Sequence, residues 1–409
     1  MRTGEWAASD SRTADAVVIG GGTVGGWCAW WLRQAGLERV AVVERSTLGR
    51  GASSRAAGMV RSQGGTPTAV LLGMWSRDFY LRQREELGVD SGFVAQGYFM
   101  PAFTPDEVAV GRRRVAMQRE LGLDVEWLGP EDAAPLNPTL AAGSHLGGSY
   151  AAGDGYLDPP RNVLAYSVAL ARAGVRLSER TEFTGLVLTH GSVTGVETSA
   201  GTIATERVVL TGGPDLASVG QLAGVVVHAG GTRHQVAVTE PHPAFSPPSM
   251  GPMVFDLPNG LYWRPEEGGL LFGMSNPDEP PGEAREIDWP YLETMRARLG
   301  AVVPLSAGLA LRRVWAATID YTPDHLPILG PAIGPDGPVA GVTVASAGGH
   351  GMMWGPAVAR VAADLAVTGA TDVLDVSILG LERFDADGHS CLDPDPIALP
   401  FPERTALHD

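Results

Sequence analysis

The stretch from residue 14 to residue 25 reads ADAVVIGGGTVG, an apolar run that passes directly into a cluster of glycines. Residues 14–19 have the length of a short buried strand, and Gly20, Gly22 and Gly25 have the GxGxxG spacing. The first glycine permits a tight turn, the second lets the backbone approach a pyrophosphate, and the third lets a helix pack closely on the strand. This stretch therefore predicts a dinucleotide site.

The residues that follow complete a strand–turn–helix–strand unit. Residues 23–34 are predicted to form a helix, whose N-terminus offers free N–H groups and a positive dipole end to phosphates. Residues 39–43 form a second apolar run that ends at Glu44, about 20 residues beyond the glycines, where a carboxylate accepts ribose hydroxyls. Because GxGxxG alone is weak, a chance glycine turn is the alternative.

Composition removes several classes of function. The formal net charge of −16 argues against a general nucleic-acid binder, which needs positive surface charge to neutralise phosphates. All 30 cationic side chains are arginine and the sequence contains no lysine. Any mechanism that needs a lysine Schiff base or a lysine general base is therefore excluded.

Cysteine content and hydropathy bear on location. Cys28 and Cys391 cannot form a disulfide framework or a thiolate metal site, and the histidines at 145, 234 and 325 lack metal-ligand spacing, so we expect no metal. No apolar stretch approaches the roughly 20 residues of a membrane helix. The first dozen residues are polar and lack a signal-peptide segment, which predicts a disordered leader and a cytoplasmic protein.

Six later segments occur in an order that carries a resemblance. They are GASSRAAGMVR at 51–61, GYLDP at 155–159, TGGP at 211–214, WAATIDYTPD at 315–324, LPILG at 326–330 and AGGHGM at 347–352. Together with the glycine turn, they make the chain similar to the D-amino-acid oxidase superfamily of flavoproteins, most closely its sarcosine oxidase and glycine oxidase-like branch. The resemblance implies that the dinucleotide is FAD.

The resemblance also implies which residues bind the cofactor. The early loop passes the flavin, Val187 lies in a strand that contacts the adenine end, and the turn at 211–214 lies near the cofactor. The expected FAD-binding residues are Gly20, Gly22, Thr23, Val24, Gly25, Glu44, Arg45, Ser53, Ser54, Arg55, Ala57, Gly58, Val187, Gly212, Gly213, Gly348, Gly349, His350, Gly351 and Met352.

The glycine loop at 347–352 has a chemical reason to lie near the flavin. Reduced flavin carries negative charge near N1 and the C2 carbonyl, and residues 348–351 can bring backbone N–H groups close to it. The N-terminus of a helix that begins near Pro356 adds a favourable dipole. The alternative is a plain glycine-rich loop between a strand and a helix.

Arg61 aligns with an arginine that holds the substrate carboxylate in sarcosine oxidase-like proteins. A guanidinium suits that task because it donates two parallel hydrogen bonds to a carboxylate. The alternative is a surface or phosphate-facing arginine. The expected substrate-binding residues are Arg61, Tyr262, Trp263, Arg264, Met353 and Trp354, and the expected catalytic residues are Arg61, Tyr262 and His350. Half-buried sheet packing is the alternative for Trp263, and a structural role for His350.

Departures from the family pattern refine the expectation. The cysteine that attaches flavin in monomeric sarcosine oxidases falls at Ala317, and the histidine of other relatives falls at Arg55, so we expect non-covalent FAD. Lysines of sarcosine oxidases fall near Leu271 and Met353, which puts fast oxygen use and a simple sarcosine-like substrate in doubt.

We expect an α/β fold with a Rossmann-type FAD-binding domain interleaved with an antiparallel-sheet substrate domain. The first takes residues 14–75, 150–230 and 305–385 and the second takes 76–149 and 231–304, with tails at 1–13 and 386–409. The predicted activity is oxidation of the C–N bond of a small amine or amino acid, with electrons passing to oxygen or another acceptor. The alternatives are a dehydrogenase or 2-hydroxy-acid oxidoreductase, and an FAD-bearing subunit that docks partners.

Overall fold

A computed structural model describes residues 12–247 and 250–397 of the chain. The predicted leader lies almost wholly outside the described residues. In the described part the helices are α1 Thr23–Gln34, α2 Pro67–Leu87, α3 Pro105–Glu120, α4 Pro130–Ala133, α5 Pro159–Ala173, α6 Leu216–Leu222, α7 Trp289–Val302 and α8 Gly355–Thr368. None of these helices combines the length and apolar character needed to cross a membrane.

The strands of the described part fall into two large sheets and one short pair. They are β1 Ala16–Ile19, β2 Val40–Val43, β3 Met59–Val60, β4 Tyr98–Pro101, β5 Glu126–Leu128, β6 Gly148–Ala151, β7 Gly155–Tyr156, β8 Arg176–Ser178, β9 Phe183–Thr189, β10 Ser192–Thr198, β11 Ile203–Ala204, β12 Val208–Leu210, β13 Gly230–Thr239, β14 Met253–Asp256, β15 Leu261–Glu266, β16 Gly269–Met274, β17 Leu311–Tyr321, β18 Ile328–Gly334 and β19 Gly337–Ser346. The short pair is β3 with β7.

The first sheet carries the glycine turn. Its strand order is β11-β10-β19-β12-β1-β2-β8, with β9 paired to β10 and β18 paired to β19. The pairs from β10 through β19, β12, β1 and β2 to β8 are all parallel. β1 and β2 are fully buried, which explains their uninterrupted apolar sequences. This is the Rossmann-type architecture that the sequence predicts.

The second sheet has the order β17-β13-β16-β15-β14-β4-β6-β5. Its pairs are antiparallel except for β14 with β4, which is parallel. The strand β17 pairs with β13 along its whole length, from Leu311 opposite Thr239 to Tyr321 opposite Gly230. The predicted boundary at residue 305 is therefore wrong, since residues 311–321 belong to this sheet. The boundary after residue 75 also falls inside one continuous helix, α2.

Helix ends follow from local sequence. The Asp158 side chain accepts a hydrogen bond from the N–H of Arg161 at the start of α5, and Gly174 ends this helix with φ of 70°. In the core between the first sheet and its helices, Trp27 of α1 meets Phe79 of α2 edge-on at 5.0 Å between ring centroids. This packing fixes the orientation of α1, and with it the glycine turn.

The residues after α8 are anchored to the domain by Asp324. The carboxylate of Asp324 accepts hydrogen bonds from Arg383 Nε at 2.7 Å, from Arg383 Nη2 at 3.0 Å and from Ser390 Oγ at 2.7 Å. Its backbone carbonyl accepts the N–H of Asp395 at 3.1 Å. Although burial opposes ionisation, Arg383 holds the pKa of Asp324 below its usual value. The prediction that residues 386–409 form a tail is therefore wrong for residues 386–397.

Candidate functional site

One elongated cavity of about 710 Å³ runs between the two sheets. It begins at the carboxyl ends of the parallel strands β1 and β2, where open α/β sheets bind ligands. It ends against the second sheet, at side chains of β4, β13, β14 and β15. Its volume lies within the usual range for ligand pockets, roughly 300–1,000 Å³.

The glycine turn lines the first end of the cavity. Gly20 has φ of 102°, and a Cβ on Gly25 would lie 1.9 Å from the carbonyl oxygen of Gly20. The N-cap residue of α1 is Gly22, which has no side chain of its own to cap the helix. The N–H of Thr23 donates to Ser53 Oγ at 2.9 Å, which ties the early loop to the helix. Backbone approaches a ligand here without interference from side chains.

Glu44 follows β2 at the same end. Its Oε2 accepts the N–H of Gly21 at 2.8 Å and its Oε1 accepts the N–H of Ser46 at 2.7 Å. The carboxylate is thus held rigidly beside the turn. The sequence places a ribose acceptor at this position, and carboxylate oxygens with free lone pairs fit that role.

The glycine loop after β19 closes the middle of the cavity. Gly348 and Gly349 have φ of 55° and 89°. The loop is held by Asp320 through Ser346: Ser346 Oγ donates to the Asp320 carboxylate at 3.0 Å and accepts the N–H of Gly348 at 3.1 Å. Burial raises the pKa of the Asp320 carboxyl. Helix α8 then begins at Gly355, where an added Cβ would lie 3.0 Å from Thr23 Cγ2, so the N-termini of α1 and α8 are neighbours.

Most expected FAD-binding residues line this cavity. They are Gly20, Gly22, Thr23, Val24, Glu44, Arg45, Ser53, Arg55, Ala57, Gly58, Gly212, Gly213, Gly349, His350, Gly351 and Met352. Gly25, Ser54 and Gly348 lie just behind the lining, where they shape the turns that do line it.

The expected contact at Val187 is wrong. Val187 lies within β9 and pairs with Gly195, away from the cavity. Phe183, the first residue of β9, lines the cavity instead, together with the preceding Thr181 and Glu182. On the facing side Arg45 pairs with Asp215 at 2.7 Å between Nη2 and Oδ2.

Arg61 lies at the opposite end of the cavity and is only 3 % exposed. Its Nη1 donates to the carbonyl of Gln63 at 2.6 Å and its Nη2 to the carbonyl of Ile397 at 3.2 Å. Within the described part of the chain its Nε has no hydrogen-bond partner. The guanidinium lies 5.7 Å from the centre of the Phe255 ring. A buried cation with an unpaired donor is suited to an anionic ligand.

A histidine–tyrosine pair lies at the same end. His234 Nε2 and the hydroxyl of Tyr262 are 2.6 Å apart, and the two rings stack at an angle of 14°. Burial lowers the pKa of His234 to about 4 and raises the pKa of Tyr262. Both side chains are therefore neutral at physiological pH. The sequence analysis did not assign His234 to the site. It shares one face of β13 with the lining residue Val236, because alternate strand residues point to the same side.

His350 is also neutral. Burial, and then the charge of Arg61, lower its pKa to about 3. Its Nδ1 lies 3.0 Å from the carbonyl of Gly348, and because a carbonyl only accepts, Nδ1 carries the proton. Nε2 is then an acceptor. The ring stacks on Trp354 with centroids 3.9 Å apart.

Three expected substrate-binding residues do not line the cavity. Trp263 points to the opposite face of the sheet from Tyr262 and packs in the core that includes α7, because successive strand residues alternate faces. Arg264 donates to the carbonyl of Ala57 at 2.8 Å and supports the early loop from behind. Trp354 supports His350. Met353 does line the cavity, together with Arg61 and Tyr262.

Other lining residues escaped the sequence analysis. Among them are Met59, Tyr98, His234, Val236, Phe255 and Ile397 at the Arg61 end, Asp320 beside the glycine loop, and Asp215, Ser218, Glu283 and Arg285 nearer the glycine turn. Most lie on separate strands of the second sheet or on loops. Their convergence depends on sheet pairing that no local pattern reveals.

Replacing Gly273 with alanine should disturb the Tyr262 ring from behind. Gly273 pairs with Tyr262, and a Cβ there would lie 2.2 Å from the tyrosine oxygen. Because overpacking a rigid core typically costs about 1–3 kcal/mol, we expect the free energy of unfolding to fall by that amount. Urea unfolding measures it. Gly185→Ala is the control, since its nearest atom would be 3.3 Å away. Equal stability of the two variants would refute the expectation.

Acid should destabilise the fold through His234. Its pKa is about 4 in the folded protein, against 6.5 for a free imidazole. Between these values the unfolded chain takes up a proton that the folded chain does not, so stability falls as pH falls. We expect a loss of about 2 kcal/mol from pH 7 to pH 5. Urea unfolding at both pH values should show a smaller loss in His234→Gln, and identical losses would contradict this assignment.

The cavity fits FAD. The N-terminus of α1 and the glycine turn suit a pyrophosphate, Glu44 suits a ribose, and the glycine loop suits the polar edge of a flavin. The cavity extends beyond these groups to Arg61, which leaves room for a second ligand. Neither cysteine lines it.

Comparison with known proteins agrees with this arrangement. The family model named DAO, described as FAD dependent oxidoreductase, matches residues 15–365. The glycine oxidase of Geobacillus kaustophilus is 31% identical over 325 residues, which cover 77% of this chain and 84% of that protein. The 4-methylaminobutanoate oxidase (formaldehyde-forming) of Paenarthrobacter nicotinovorans is 28% identical over 91% of this chain. The chain spans about half of the length of that second relative, 46%.

A solved structure is similar over nearly the whole described chain. The L-proline dehydrogenase of P. horikoshii superposes with a TM-score of 0.83 at 27% sequence identity, covering 91% of this chain and 98% of that one. The two-sheet architecture is thus shared with a protein that is named as an L-proline dehydrogenase.

Proposed function

The chain belongs to the DAO family of FAD dependent oxidoreductases, and we propose that it oxidises the C–N bond of a small amine or amino acid. The observation that carries the proposal is the Arg61 end of the cavity. There a buried guanidinium with an unpaired Nε lies among apolar side chains, two neutral histidines and a neutral tyrosine. The relatives named glycine oxidase and 4-methylaminobutanoate oxidase support a nitrogen-bearing substrate.

Arg61 binds the carboxylate of an amino-acid substrate. Two of its nitrogens are already fixed by backbone carbonyls, so the guanidinium is held in one orientation before the ligand arrives. A preorganised cation loses little conformational freedom on binding. The Nε–H and the second proton of a neighbouring nitrogen remain as donors for the carboxylate.

FAD bound in this cavity would supply the acceptor for a hydride from the carbon next to the substrate nitrogen. The chain's own residues hold that carbon in place and exclude water. His234, Tyr262 and His350 present neutral polar atoms around the substrate, with His350 Nε2 free to accept an amine N–H. No ionised base is needed, because the neutral amine's lone pair assists loss of the hydride. Orientation is therefore the main contribution of the protein.

We propose that the FAD is held without a covalent bond. Ala317 lines the cavity where monomeric sarcosine oxidases carry their attachment cysteine, and Cys28 and Cys391 are both free thiols outside the lining. The free thiols also support a reducing compartment such as the cytoplasm. Acid precipitation should release all the yellow chromophore into the supernatant.

The absence of lysine from the sequence bears on the electron acceptor. No lysine exists in the chain to promote reaction with oxygen, which supports an acceptor other than oxygen as the faster one. Stopped-flow mixing of the reduced holoenzyme with oxygen and with artificial acceptors separates an oxidase from a dehydrogenase.

Anaerobic bleaching of the flavin tests the activity itself. The holoenzyme is mixed with a panel of primary and N-alkyl amino acids, uncharged amines and 2-hydroxy acids. We expect at least one amine or amino acid to bleach the flavin. Bleaching by hydroxy acids alone would refute the amine assignment, and bleaching by none would favour an FAD-bearing subunit that docks partners.

A further inference from the structure

Residues 393–397, here called the closing segment, follow α8 along the chain and bring Ile397 into the cavity. Ile397 lines the cavity and is 1 % exposed. Its side chain belongs to the apolar cluster that also contains Met59, Tyr98, Phe255 and Tyr262. These are the side chains around the Arg61 end. The closing segment therefore completes the apolar surface that a substrate side chain would meet.

Asp395 fixes the closing segment to the loop that carries Arg61. Its Oδ1 accepts the N–H of Ile397 at 2.8 Å, and its carboxylate lies beside the backbone of Gly65. Asp395 is 4 % exposed, and a Cβ on Gly65 would lie 2.1 Å from its Oδ1. The segment and the loop are thus in direct contact.

The closing segment also touches the guanidinium. The carbonyl of Ile397 accepts a hydrogen bond from Arg61 Nη2 at 3.2 Å. Asp395 accepts the N–H of the same residue, and so helps to hold Ile397 beside Arg61. One residue therefore supplies an apolar side chain to the cavity and a polar atom to the arginine.

We propose that Ile397 is a specificity-determining residue and that Asp395 is its positioning residue. This inference rests on the proposed function, since it concerns the ligand that Arg61 binds. The Ile397 side chain limits the bulk of the group attached to the substrate's α-carbon. Its carbonyl holds the guanidinium in the orientation that a carboxylate needs, and the carboxylate of Asp395 holds both in place.

Binding of simple carboxylates to the holoenzyme tests the inference without turnover. Acetate and 3-methylbutanoate are titrated, and the change in the visible flavin spectrum gives two dissociation constants. We expect Ile397→Ala to lower the ratio of the dissociation constant of 3-methylbutanoate to that of acetate about tenfold. A few methyl groups in an apolar pocket change affinity by about that factor. Leu381→Ala is the control, since Leu381 is buried in a cluster outside the cavity.

Asp395 is tested by a pair of variants. Asp395→Ala should weaken binding of both carboxylates about tenfold, as expected for a loosened charged hydrogen bond. Asp395→Asn keeps an acceptor oxygen and should recover most of the affinity. Hydrogen exchange of residues 393–397 should be slowed by acetate in the wild type and faster throughout in Asp395→Ala. If Asp395→Ala does not fold, the ratio of dissociation constants in Ile397→Ala still tests the inference.

The inference would be overturned if a stable Ile397→Ala holoenzyme had the wild-type ratio of the two dissociation constants. It would also be overturned if the wild type bound neither carboxylate. The proposed function fails separately. Carboxylates that bind as expected, together with a flavin that no amine bleaches, would overturn the amine chemistry and leave the role of the closing segment intact.

Discussion

Gly25→Ala is expected to yield a protein that purifies without FAD. The new Cβ would lie 1.9 Å from the carbonyl oxygen of Gly20 and 2.6 Å from Thr211 Oγ1. The first contact is with backbone, so the turn must move away from α1. The turn and the helix N-terminus then no longer present their N–H groups together to a pyrophosphate. We expect about a tenth or less of the wild-type flavin content, measured as visible absorbance per protein.

Gly308→Ala is the matched control. A Cβ there would meet nothing within 4 Å, and the position lies outside the cavity. It should retain full flavin content. A yellow Gly25→Ala protein with normal thermal stability would show that the close approach of helix and turn is not needed for binding.

Arg61→Met should abolish most oxidation of amino acids while leaving the flavin bound. Removing one partner of a buried, hydrogen-bonded charge pair costs about 2–5 kcal/mol, and each 1.4 kcal/mol is a factor of ten. We therefore expect kcat/KM for an amino acid to fall by roughly 30-fold to 4,000-fold. An uncharged amine has no carboxylate and so makes no such contact with Arg61. Its rate constant for anaerobic flavin reduction should therefore change much less.

Arg112→Met controls for loss of an arginine outside the cavity, where Arg112 stacks on Trp127 at 5.2 Å. It should leave both substrates unaffected. Equal losses for the amino acid and the uncharged amine in Arg61→Met would mean that Arg61 acts on the structure of the site rather than on a carboxylate.

The sequence was sufficient for the parts of the fold that are local. The helix predicted at residues 23–34 is α1 to the residue, because a buried strand, a glycine turn and an amphipathic helix each leave a short-range pattern. The membership of β17 was predicted wrongly. Its sequence specifies a strand, but which sheet it joins depends on pairing with β13, about 80 residues earlier, and edge complementarity leaves no local mark.

The site shows the same division. Glu44 and Arg61 follow from motif position, and both line the cavity. The error at Trp263 could have been avoided, since a cavity-facing Tyr262 requires its neighbour to face the other side of the sheet. Ile397 could not have been found in this way. Its place in the cavity depends on a hydrogen bond from Arg61 and on the contact between Asp395 and Gly65. Both join residues that are more than 300 positions apart in the chain.

The ion pair of Asp324 and Arg383 links two parts of the cavity, the glycine loop and the closing segment. Leu326 lies two residues after Asp324, and a Cβ on Gly348 would lie 2.8 Å from its carbonyl oxygen, so this residue touches the glycine loop. The carbonyl of Asp324 accepts the N–H of Asp395 in the closing segment. The pair is almost fully buried, and breaking such a pair costs about 3–5 kcal/mol. The glycine loop and the closing segment should therefore open in one cooperative step, as a single unit of local unfolding rather than as two fraying loops.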